Sequence, residues 1–160
     1  MSDSLDQMYR EVILDHYRSP RGHKPLDRSD VTSEGQNPSC GDEIEMKLKL
    51  NGHDEIEDVY CDCKGCAISV ASASMMAELL KGRKLEDVEK IAQTVRRLLK
   101  GEDIEVPEDL GDVDALKGVR KFPVRIKCAL LAWVTLLEGL KNYHNGNNGK
   151  AVATTEEPEG

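Results

Sequence analysis

No stretch of this 160-residue chain carries the roughly 18–20 consecutive apolar residues that a membrane span requires. The chain also lacks an excess of basic residues. Its formal net charge of −8 argues against non-specific nucleic-acid binding, which needs clustered Lys and Arg, and against an anionic membrane surface. The segment Met1 to Arg10 is acidic and polar, without the basic-then-apolar order of a secretory signal, so a cytoplasmic location is expected. With 39% hydrophobic and 32% charged residues, the composition is that of a folded soluble domain rather than a disordered chain. The length suits one domain and is short for two.

Five cysteines are present, an odd number, and in a reducing compartment disulfides explain them poorly. Metal binding or thiol chemistry is the leading alternative, and simple packing of small buried thiols is the other.

The apolar pattern predicts an amphipathic helix over residues 4–19, with Leu5, Met8, Tyr9, Val12, Ile13, His16 and Tyr17 on one face, Ser4 and Gln7 as a capping box, and Pro20 and Gly22 as its end. Val31 to Glu34 reads as a short strand, and Gly35 to Ser39 as a run of turn residues leading into Cys40. Ile44, Met46, Leu48 and Leu50 alternate with charged residues, the mark of a half-buried strand. Asn51-Gly52 starts a turn, and a partner strand follows from Ile56 to Cys63. Helices are predicted from Ala67 to Lys81 (rich in small residues that allow close approach), from Leu85 to Lys100, and from Pro123 to about Tyr143, with a short helix near Val113–Leu116. The fold class expected is α+β, a small antiparallel sheet of about three strands packed by helices, spanning residues 1–144. Residues 145–160 are expected to form a disordered tail.

In this layout Cys40 lies in a turn before a strand, Cys66 where a strand meets a helix, and Cys128 in the first turns of the last helix. Functional residues collect at such positions. Asp42 follows Cys40 at i+2. Three thiolates and a carboxylate form a plausible four-ligand set for zinc or iron. The spacing matches no local zinc-finger signature, so packing remains open for each cysteine.

Three segments resemble the IscU/SufU family of iron–sulfur cluster assembly proteins: Asn37-Pro38-Ser39-Cys40-Gly41-Asp42, the stretch Gly65 to Ser74, and the stretch Phe122 to Trp133. The segment Tyr9 to Pro20 is similar too, so the resemblance covers about residues 5–142 in order. It implies a small α+β domain with a metal or cluster site on Cys40, Asp42, Cys66 and Cys128. Lys127, where the scaffold branch usually has His, and the long segment between Cys66 and Cys128 resemble the SufU branch. That branch implies Zn2+ at the site and Cys40 as the acceptor of persulfide sulfur from a cysteine desulfurase of the SufS/IscS type. The chemistry implied is a zinc-held Cys40 thiolate, freed when the desulfurase docks, that attacks the partner's persulfide. The alternative implied is a scaffold for a [2Fe–2S] cluster held by the same four residues. Either reading gives a sulfur acceptor or scaffold rather than a stand-alone enzyme, passing its load to downstream assembly or acceptor proteins, with no role for nucleic acid or membrane. A structural zinc domain that mediates protein contacts is the reading from another class.

Cys61 and Cys63 depart from the family pattern, which usually has an apolar or aromatic residue and a Gly there. Cys63-Lys64-Gly65-Cys66 is a C-x-x-C pair, which makes Cys63 a candidate auxiliary ligand or sulfur relay, whereas packing is favoured for Cys61. Arg125, one turn before Cys128, either neutralises an anionic site or faces solvent. His16 is expected to be packed or hydrogen-bonded rather than a ligand.

Overall fold

The computed structural model describes residues 2–146 and 149–155, with side chains from residue 6 onward. Alternation in the sequence becomes a sheet with one wet and one dry face. Strand β1 (Val31–Asn37), β2 (Asp42–Leu50) and β3 (Ile56–Lys64) form an antiparallel meander. Ile44, Met46, Leu48 and Leu50 of β2 are buried, as are Val59 and Cys61 of β3. The opposite face carries the charged residues, with the Lys47 ammonium 5.8 Å from the centre of the Tyr60 ring.

Helix α1 (Ser2–Arg18), α2 (Ala67–Leu80), α3 (Leu85–Leu99) and α4 (Pro123–His144) cover the dry face and each other. Leu85, Val88, Ile91, Val95, Leu98 and Leu99 of α3 are buried, the set the helical period picks out. Ser4 and Leu5, named for the helix cap and the apolar face, lie outside the residues whose side chains are described. The expected one-turn helix near Val113 is a longer 3-10 segment, Glu108–Val119, bent at Gly111 where φ is 54°.

The small residues of α2 bring it against α4. Ser72 Oγ donates to the carbonyl of Ala129 at 2.7 Å and accepts the indole N–H of the fully buried Trp133 at 2.9 Å. On the other side of α4, Ser33 Oγ donates to the Thr135 carbonyl at 2.9 Å. Gly35 lies directly beneath Thr135: a Cβ there would fall 1.9 Å from Thr135 Oγ1.

Two expectations are corrected. First, Gly35 to Asn37 is not a turn but the end of β1, because that strand needs a residue without a side chain where α4 crosses it. The turn itself is Pro38 to Gly41, with Gly41 at φ 74°. Second, the sheet is neither three-stranded nor wholly antiparallel, and the tail is not wholly without structure. Ala151–Thr154 forms β4, which runs parallel to β1 and gives the order β3-β2-β1-β4. As the outer strand of the meander, β1 would present an open edge of unpaired N–H and C=O groups, and the tail pairs with that edge, burying Ala151 and Ala153. Residues 147–148 and 156–160 of the tail lie outside the described residues. Among the described residues, no helix is long and apolar enough to cross a membrane.

Because α4 leaves no room above β1, Gly35→Ala should lower stability by about 1–3 kcal/mol through overpacking. The measurement is the urea midpoint at constant m-value; an unchanged midpoint would refute this packing.

Candidate metal centre

The hairpin between β1 and β2 sets the site. Asn37 and Asp42 pair across it, and the Asn37 carbonyl accepts the amides of Cys40 at 3.2 Å and Gly41 at 2.9 Å. That tight turn raises Cys40 to the exposed tip and leaves Asp42, the first residue of β2, 1% exposed. Cys66 is the residue preceding α2, and Cys128 points inward from α4.

Two elements supply donors to the Asp42 carboxylate. Its Oδ1 accepts the Cys66 backbone N–H at 3.0 Å, and its Oδ2 accepts the side-chain amide of Asn37 at 3.1 Å. The same Asn37 amide lies 3.6 Å from Cys128 Sγ. Gly65 closes the carboxylate from above: a Cβ at that position would stand 2.2 Å from Asp42 Oδ1.

The ligand atoms of Cys40, Asp42 and Cys128 all lie within 4.8 Å of one another. Cys40 Sγ and Cys128 Sγ are 3.6 Å apart. Two thiolates on a tetrahedral zinc, each about 2.3 Å from the ion, are separated by about 3.8 Å. The donor set and its spacing therefore fit a single zinc ion. Cys66 stands beside this group rather than in it. Its Sγ is 3.6 Å from Ser69 Oγ, and its thiol also interacts with that of Cys128. Burial opposes ionisation of Cys66, but the Ser69 amide and hydroxyl and the Cys128 thiol outweigh it, and the thiol lies below its ordinary value. Burial, with Cys66, Asp42 and Cys40 around it, pushes Cys128 up. Arg125 is exposed, and a hydrogen bond donated to Cys128, reinforced by the charges of Cys66 and Cys128, holds its guanidinium above its usual range.

Cys63 faces Ser69 from β3, and burial pushes its thiol up to about 12. Among the described residues it belongs to no group of ligand atoms as close as that of Cys40, Asp42 and Cys128. Cys61 is packed in the core. His16 is buried with both ring nitrogens engaged, Nδ1 with Ser74 Oγ at 2.7 Å and Nε2 with Asp112 Oδ2 at 2.8 Å, which makes it a hydrogen-bonded packing residue. In the sequence Asn37 reads as a turn former, and Gly65 and Ser69 appear only as members of the family-like stretch Gly65 to Ser74. Nothing in the sequence assigns any of the three to the Asp42 carboxylate or the thiols.

A family model described as the NifU-like N-terminal domain matches residues 8–96. The chain is 43% identical to the zinc-dependent sulfurtransferase SufU of Bacillus subtilis, over 90% of this chain and 97% of that protein. It is 36% identical to the iron–sulfur cluster assembly scaffold protein IscU of Streptococcus pyogenes, over 90% and 89%. A crystal structure from Fervidobacterium islandicum, of a protein described as a candidate assembly scaffold for the SUF system, superposes with a TM-score of 0.74 at 31% identity, covering 81% of this chain and 94% of that one.

Gly65→Ala should displace the Asp42 carboxylate and weaken zinc binding about tenfold or more. Competition against a chromophoric chelator measures it, and wild-type affinity in that variant would show that Asp42 is not a ligand.

Proposed function

We propose that this chain, which belongs to the family of NifU-like N-terminal domains, is an iron–sulfur cluster assembly protein that accepts persulfide sulfur on Cys40 from a cysteine desulfurase. The observation that carries the reading is the contrast within one ligand group. Cys40 Sγ is exposed at a hairpin tip, whereas Asp42 and Cys128, close beside it, are buried. A purely structural metal site would have no reason to leave one sulfur reachable.

Cys40, Asp42, Cys66 and Cys128 would hold a zinc ion, which would keep the thiols ionised at neutral pH and lower the nucleophilicity of Cys40 while it is bound. The protein's own residues do the rest. Cys128 and Cys66 are anchored in α4 and at the start of α2, so the site keeps its shape when Cys40 leaves it. The Pro38–Gly41 turn carries Cys40 outward without moving β1 or β2. The Cys40 thiolate then attacks the terminal sulfur of the partner's persulfide. A new S–S bond forms on Cys40, the partner's S–S bond breaks, and the partner's cysteine departs as a thiolate with the electron pair. Arg125 offsets the negative charge that arrives with the sulfur.

The surroundings suit a protein partner. Phe122 and Val124 are 56% and 61% exposed next to Arg125, and a cavity of about 250 Å³ between α1 and this turn is lined by Tyr9, Ile13, Ile68, Val119 and Phe122. Five unpaired cysteines accord with a reducing, cytoplasmic setting. The likeness to IscU keeps a second reading in view, a [2Fe–2S] cluster assembled on the same four residues.

Cys40→Ala should abolish the gain of one sulfur atom that mass spectrometry detects after incubation with a cysteine desulfurase and cysteine, while the fold survives because Cys40 is exposed. Full sulfur uptake by that variant would remove Cys40 as the acceptor. Metal and sulfide analysis of protein purified without oxygen separates the two readings: zinc without acid-labile sulfide supports the acceptor, and iron with equal sulfide supports the scaffold.

A further inference from the structure

Asn37 is fully buried, and its amide is used at both ends. The NH2 group faces the site, donating to Asp42 Oδ2 at 3.1 Å and lying 3.6 Å from Cys128 Sγ. The carbonyl oxygen faces away and accepts the hydroxyl of Thr155 at 2.9 Å. Thr155 follows β4 and is held there by its own backbone, whose N–H donates to the Gln36 carbonyl at 3.1 Å. Resting on the zinc reading above, we propose that the C-terminal strand is a latch on the metal centre, with Thr155 and Asn37 as positioning residues that hold Asp42 and Cys128 in ligating geometry.

An amide side chain can rotate by half a turn with little change of shape, and its two orientations differ only in which end donates. In this protein both neighbours select the same orientation. A carboxylate and a sulfur require a donor on the inner side, and the Thr155 hydroxyl supplies a donor for the oxygen on the outer side. Without Thr155, only the inner neighbours hold the amide. A turned amide would then place its oxygen against the Asp42 carboxylate and repel it. Groups that orient metal ligands in this way strongly affect metal affinity.

The latch is set by tertiary contacts spread along the tail. The β4 ladder pairs Ser33 with Ala151 and Gln36 with Thr154. Lys150 pairs with Glu34 at 2.8 Å, and the Asn142 side chain donates to the Gly149 carbonyl at 2.9 Å. Each of these contacts delivers Thr155 to the end of β1, where Asn37 sits. A segment after the last helix therefore reaches the ligand-bearing hairpin from the open edge of the sheet, on the far side of β1 from Cys66.

The test is zinc affinity, by chelator competition, for the full chain and four variants: Thr155→Val, Thr155→Ser, Asn37→Ala and the Asn37→Ala/Thr155→Val double. Thr155→Val should bind zinc about tenfold more weakly, at the low end for a residue that orients ligands, and Asn37→Ala more weakly still. Thr155→Ser, which keeps the hydroxyl, should match the wild type. The double variant should be no weaker than Asn37→Ala, because Thr155 acts only through that amide. Wild-type affinity in Thr155→Val, loss in Thr155→Ser equal to that in Thr155→Val, or losses that multiply in the double variant would overturn the latch and leave the zinc reading standing. A wild-type chain that takes up no zinc would overturn both.

Discussion

A buried carboxylate holds the centre of this protein together. Asp42 is almost wholly removed from water, and a carboxylate there is costly unless every lone pair facing protein finds a donor. The donors come from separate elements: the Cys66 amide at the start of α2 and the Asn37 amide at the end of β1. Satisfying Asp42 therefore fixes where α2 begins relative to the β1–β2 hairpin, and this brings Cys66 beside Cys40 and Cys128. Gly65 is part of the same constraint, because any side chain there would occupy the carboxylate's own space. Docking of the elements and shaping of the site are thus one interaction.

Around that centre the scaffold is closely packed, whereas Cys40 is exposed. α4 is locked to α2 through Ser72 and Trp133 and to β1 through Ser33 and Gly35, with small residues wherever backbones meet. Cys128 rides on this rigid helix. Cys40 instead occupies a four-residue turn in which its own amide and that of Gly41 donate to the Asn37 carbonyl. The proposed function, in which Cys40 is released and the other residues stay in place, needs this division. Under the same proposal Asp42, harder than a thiolate, would keep the site labile.

Much of this architecture was readable before any coordinates. Strict alternation at Ile44 to Leu50 defined β2, and the helical period of Leu85 to Leu99 defined α3, because both patterns are local. The ligand candidates Cys40, Asp42, Cys66 and Cys128 stood out from their residue types and from likeness to a family. Gly35 was misread because glycine signals turns and close approaches alike, and only the helix lying over it distinguishes the two. The tail was misread for a related reason: Ala151 to Thr154 has little strand character by itself, and it pairs because an open edge of β1 is waiting for it.

Sequence alone determined which residue types were available for metal chemistry, where strands and helices run, and to which family the motifs point, since all of these depend on neighbours along the chain. Tertiary structure decided the rest. It set Cys40 outside and Cys128 inside, left Cys63 facing Ser69, and placed the Asn37 amide between Asp42 and Thr155. Each of these depends on which distant element fills a space or completes a hydrogen bond, and burial and hydrogen-bond partners are properties of packing that no local pattern encodes.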